Sequence, residues 1–125
     1  MAKVKGIGGL FFRSGDPSSL REWYSTHLGL SNSPKGHFFP WRHADDPDRE
    51  GMTIWATFPK DTSYFGPTRP EFMVNYIVDD LDGILAGLRE AGAVVDDRVE
   101  EHEYGRFGWA TDPEGNRLEF WEPPK

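Results

Sequence analysis

The sequence predicts an α+β domain assembled from two similar halves, and three observations carry that expectation. Apolar runs with strand-like composition flank two segments with helical spacing. Each helical segment opens on a capping aspartate and closes on a glycine, Asp16 to Gly29 and Asp79 to Gly92, 13 positions apart in both cases. The two segments are offset by 63 positions in a chain of 125. A repeated unit of this kind implies duplicated architecture, here a single domain, residues 1–125, with halves at about 1–60 and 70–125. Neither half alone buries one face of its strands, whereas two sheets packed or paired side by side do.

The elements follow in order. "KVKGIGGLFF" is short, apolar and stopped by "SGDP", so it reads as a strand. Asp16 suits an N-cap and Pro17 the first helical position, where a missing N–H costs nothing. Leu20, Trp23, Tyr24, His27 and Leu28 recur at helical spacing, and Gly29 is the C-terminal stop. "GHFFPWRHA" and "MTIWATFP" read as two strands around a polar loop, "DDPDREG". Pro40 pushes the first of them to an edge or a bulge. After the connector "KDTSYFGPTRP" the order repeats. "EFMVNYIV" is a strand, Asp79 and Asp80 offer caps, and Leu81, Ile84, Leu85 and Leu88 share one helical face. "AVVDDRV" is a strand. Then "YGRFGWATDPEGNRLEFWEPP" reads as a hairpin whose turn chemistry comes from Asp112-Pro113 and Gly115-Asn116.

Composition excludes several classes. Lys and Arg total 14 against 21 Asp and Glu, a net charge of −7 with no segregated basic patch, so nucleic acid is not an expected partner. There is no cysteine, which removes disulfides, thiolate metal sites and cysteine nucleophiles. The apolar run near the N-terminus stops at Arg13 after about seven residues with no small-residue cleavage site, so a strand is expected there, not a signal peptide. No stretch approaches the roughly 18 apolar residues of a membrane span. A cytoplasmic protein is the default.

The segments "SGDPSSLREWYSTHLGL", "VNYIVDDLDGILAGLREAG" and above all the hairpin from Asp112 to Phe120 together resemble the vicinal oxygen chelate superfamily. That group includes glyoxalase I, bleomycin resistance proteins and extradiol dioxygenases. The resemblance spans essentially the whole chain. It implies two βαβββ modules whose mixed sheet curls into a cup, backed by a second subunit in a homodimer. It also implies a divalent metal in the cup, held by four His or Glu side chains and acting as a Lewis acid. Carried over by spacing, the four positions fall on Gly9, Trp55, Met73 and Glu119. Glu119 alone is a fitting ligand. Glycine has no side chain, the indole N–H only donates, and a thioether matches hard and borderline metals poorly. No cofactor is therefore expected, with a divalent metal as the alternative.

The histidines do not rebuild such a site. His27 reads as a packed or capping residue at a helix end. His37 and His43, on one strand face, lie about 20 Å apart. His102 sits in an acidic, solvated run, with Glu100 and Glu103 as its nearest acids. Alternation in "RLEFWE" places Arg117, Glu119 and Trp121 on one face and Leu118 and Phe120 on the other, against a helix. Glu119 is then either a hydrogen-bonded or solvated carboxylate or a candidate catalytic base or cation hook whose pKa an aromatic pocket raises. Phe39, Trp41, Trp55 and Trp121 are the expected ring lining of the cup, with Met73 beside them and Asn75 and Arg13 as polar handles. Such a lining suits an apolar, aromatic or cationic small molecule, or it is core, or a dimer interface.

Three function classes remain open at this point. One is a binding protein that sequesters a small apolar or aromatic molecule in a cup without the usual metal ligands. Another is a metal-dependent lyase, isomerase or dioxygenase of the glyoxalase type. The last is a non-catalytic dimeric protein whose cup is filled.

Overall fold

Ten elements follow one another in the computed structural model, which describes residues 2–67 and 70–125. They are β1 (Val4–Ser14), α1 (Pro17–Leu28), β2 (His37–His43), β3 (Asp46–Pro59), β4 (Phe72–Val78), α2 (Leu81–Glu90), β5 (Val94–Val95), β6 (Glu100–His102), β7 (Gly105–Thr111) and β8 (Arg117–Glu122). The caps stand where the sequence puts them. Asp16 accepts from Ser19 N at 3.2 Å, and Gly29 closes α1 in the left-handed region at φ 76°. Asp80 caps α2 through Gly83 N at 3.0 Å, and Gly92 follows its end at φ 85°.

The strands form one mixed sheet in the order β2-β3-β1-β4-β8-β7-β5, with β6 also paired to β7. In each half the last strand returns parallel to the first, β3 beside β1 and β8 beside β4. The halves join through the antiparallel β1–β4 pair. They differ in detail, because two strands follow α1 and four follow α2. The acidic run from Asp46 to Glu50, read from sequence as loop, is the start of β3. Its ends, Asp46 and Glu50, pair with His43 and Arg42 of β2 across an irregularity in register, so it forms an exposed hairpin arm although its side chains carry no strand signature. Pro40 lies in β2, at the edge of the sheet, where a missing N–H breaks no interior ladder.

Both helices pack on one face. Leu81 and Leu85 of α2 are buried with Val78, Ala110 and Phe120, and Ile84, Leu88 and Leu118 pack around them. Tyr24 of α1 packs against Trp55 of β3 at 4.6 Å between ring centroids. The opposite face has its own core of Phe11, Ala56, Met73, Phe107 and Trp109. Phe65, from the connector between the halves, completes it with no exposed surface. No helix among the described residues is long and apolar enough to cross a membrane.

Truncating Leu85 to alanine removes its Cγ and both Cδ carbons from a site that is 2% exposed. Leu85→Ala is expected to cost about 3 kcal/mol, read as a lower urea midpoint with an unchanged slope.

Candidate functional site

One row of paired residues crosses the middle of the helix-free face. Ile54 pairs with Gly9, Gly9 with Asn75, Asn75 with Glu119, and Glu119 with Trp109. Paired residues share a face, so this row holds the positions the resemblance reserves for a metal. Gly9 and Glu119 stand in it as expected. Trp55 and Met73 do not, and their places are taken by Ile54 and Asn75. Trp55 is one residue off in β3, and a one-residue slip turns a side chain to the other face. Met73 is two residues off on the same face. Seven positions separate Gly9 from its helix cap but only five separate Asn75 from Asp80, so counting back equal distances overshoots.

Glu119 is 1% exposed and receives three hydrogen bonds. Asn75 Nδ2 donates to Oε1 at 2.5 Å, Trp109 Nε1 donates to Oε2 at 2.8 Å, and the Tyr64 hydroxyl donates to Oε2 as well. Burial pushes the Glu119 carboxyl above its usual range, while those three donors and the Arg117 charge pull the other way. Burial and the adjacent carboxylate together push the Tyr64 phenol far up, so Tyr64 is held as a neutral donor. Tyr64 comes from the connector. Arg13 fastens that segment through the carbonyls of Pro70, Lys60 and Thr62, at 2.6 to 2.8 Å, and lies over the Phe65 ring. Arg13 is thus a strap for the connector, not a handle in the cup.

The other end of the helix-free face is open. A cleft of about 790 Å³ lies between the β2–β3 hairpin and the end of β8, walled by Pro40, Met52, Ile77 and Trp121. Trp121 is stacked on Phe107, the planes 4° apart, and its indole N–H donates to the Tyr104 carbonyl at 2.8 Å. Of the rings expected in the cup, only Trp121 is there. Phe39 pairs with Thr53 and Trp41 with Gly51, on the same face of β3 as Trp55, and that face carries α1. Phe39 is 42% exposed, and Trp41 donates to Thr53 Oγ1 at 2.9 Å.

The model of the glyoxalase-like domain matches residues 9–121. This chain belongs to that family. It is thereby a member of the vicinal oxygen chelate superfamily. Its fold is similar to that of a variant of Streptomyces coelicolor methylmalonyl-CoA epimerase in complex with 2-nitronate-propionyl-CoA, with a TM-score of 0.70, 15% identity, and 98% of this chain and 100% of that one covered. Methylmalonyl-CoA epimerase from Mycobacterium tuberculosis gives 0.58 and 17%, with 98% and 90% covered. NAD-dependent benzaldehyde dehydrogenase from Legionella pneumophila gives 0.56 and 13%, with 93% and 98% covered. At these identities the likeness shows the fold alone. No curated protein matches the sequence.

The residues of this glyoxalase-like domain do not fit the metal of its superfamily. Around Glu119 the neighbouring polar atoms are N–H and O–H donors aimed at the carboxylate, the wrong polarity for a cation. Among the described residues no three His, Asp or Glu side chains are grouped to hold an ion. His37 Nδ1 faces Ser31, His102 faces Glu100, His27 packs on Trp23, and His43 is buried beside Trp41.

Two residues of the site escaped the sequence reading. Trp109 was legible in principle, because the hairpin turn sets it opposite Glu119. Tyr64 announced itself only as half of a Tyr-Phe pair inside an otherwise polar connector.

The buried carboxylate sets a pH dependence. A carboxyl whose folded pKa is raised favours the folded state below its unfolded value, near 4.5, and loses that contribution as pH rises through the folded value. Glu119→Gln sets an amide NH2 against these donors and carries a constant penalty. Its stability relative to the parent should nonetheless rise with pH from 4.5 to neutrality, read as the difference of two urea series. Tyr64→Phe leaves one acceptor site unpaired. It should cost about 1–3 kcal/mol and move the Glu119 carboxyl 13C titration to higher pH.

Proposed function

We propose that this glyoxalase-like domain binds a small apolar or aromatic molecule, without a metal ion, in the cleft walled by Trp121. The observation that carries the reading is the division of the helix-free face. One end is packed solid around a fully hydrogen-bonded Glu119, and the other is an open, ring-walled cleft of about 790 Å³. That volume falls in the range that takes small organic ligands. Glu119 does not itself line the cleft. Its donors are supplied from within the protein, which supports binding and sequestration over proton transfer at that carboxylate. The wall residues Met52, Ile77 and Pro40 are apolar, and the Trp121 ring offers a flat contact worth about 0.5–1.5 kcal/mol beyond its buried area to an aromatic guest.

The test is a titration of tryptophan fluorescence with a panel of neutral aromatic compounds, before and after dialysis against EDTA. Saturable binding that EDTA leaves unchanged and that Trp121→Leu weakens at least ten-fold, about 1.4 kcal/mol, is the expected result. A stoichiometric Ni, Zn, Mn or Fe content that Glu119→Ala abolishes would restore the metal-dependent lyase, isomerase or dioxygenase reading. A silent panel with no metal would leave the filled, non-catalytic interaction protein.

A further inference from the structure

We propose that the guest of this cleft is an organic amine in its ammonium form, its ring on Trp121 and an N–H donated to Asn75 Oδ1 at the inner end. The inference rests on the cleft being the binding site. Asn75 is 2% exposed, and its Oδ1 is buried without a hydrogen-bond partner among the described residues. Its orientation is fixed from behind. A Glu119 carboxylate can only accept, so Nδ2 must face it and Oδ1 must point away. An amide oxygen left unpaired in the interior is costly, a cost that a donor arriving with a ligand removes.

The surroundings of Oδ1 say where such a donor comes from. Oδ1 packs over the backbone of Gly8. A Cβ placed there would overlap it and stand 2.9 Å from Ile77 Cγ1 and 3.0 Å from Trp121 Cε3. Ile77 and Trp121 line the cleft, so the acceptor lies next to that wall, and the guest displaces the Trp121 indole from its bond to the Tyr104 carbonyl to reach it. Residue 8 must be glycine for the amide to sit in this place.

The charge of the cleft selects the sign of the guest. Five carboxylates line it, three on β3 together with Asp79 and Glu122, against two cations, Arg49 and Lys125. An acidic mouth over an apolar wall attracts a cation and disfavours a carboxylate. The Trp121 face adds cation–π attraction for an ammonium group near the ring. A neutral ring compound has the wall but neither of the other terms.

Three ring compounds of matched size separate the outcomes: phenethylammonium, 2-phenylethanol and phenylacetate, titrated into the 15N-labelled protein and followed by NMR. Phenethylammonium is expected to bind at least ten-fold tighter than the alcohol, with phenylacetate weakest, and to shift the Asn75 side-chain amide resonances. Asn75→Leu should bring the ammonium down to the affinity of the alcohol. Because that variant also strips a donor from Glu119, the amide shift in the unaltered protein decides if it fails to fold. Equal affinity for ammonium and alcohol would overturn the amine inference and leave the cleft reading standing. An ammonium preference with unmoved Asn75 resonances would overturn the role of Asn75. Failure of all three to bind, together with a silent neutral panel, would overturn both readings.

Discussion

A carboxylate that is 1% exposed governs the interior of this protein. Taking a carboxylate out of water costs several kcal/mol, and only well-placed donors offset it. Glu119 on β8 draws its three donors from three other segments: Asn75 on β4, Trp109 on β7 and Tyr64 on the connector. Two strands are thereby fixed in register around it, and the connector is drawn across the sheet. Phe65 then fills the space beside Tyr64, and the rings of Phe58, Phe11 and Phe107 close around them. A core built on a buried acid in this way specifies one packing, because a slipped arrangement leaves the charge without its donors.

The fold was legible because its signals are local. An aspartate cap, a helical stripe and a closing glycine act within about 13 residues, and they occur twice, with a proline in the first turn of α1 as well. The position of Glu119 was legible too, since alternation in "RLEFWE" separates it from Leu118 and Phe120, which do pack toward α2. Alternation failed on β2 and β3 for a physical reason. Both faces of β3 are apolar there, Ile54, Ala56 and Phe58 on one and Trp55 on the other, so period two divides the residues without saying which set faces inward. Phe39, Trp41 and Trp55 share a face, and it is the face that carries α1. The site also depends on the connector, whose reach across the sheet comes from long-range hydrogen bonds to Arg13 that no local pattern announces.

Family membership and site chemistry separate cleanly in this chain. The glyoxalase-like match and the epimerase-like fold concern the backbone frame. The row Ile54–Gly9–Asn75–Glu119 concerns what the frame holds. Of those four residues, one has no side chain, one is aliphatic, one is an amide and one is an acid already surrounded by donors. Function follows from that second level.

The segment joining the halves has a further effect. Two repeats joined through the antiparallel β1–β4 pair give the helix-free face two comparable ends. Tyr64 and Phe65, fastened by Arg13, stopper one of them, and the symmetry of the backbone is lost at the level of side chains. Among the described residues the open end of that face is the cleft under the β2–β3 hairpin, and the two halves of the sheet offer a visitor unlike surfaces.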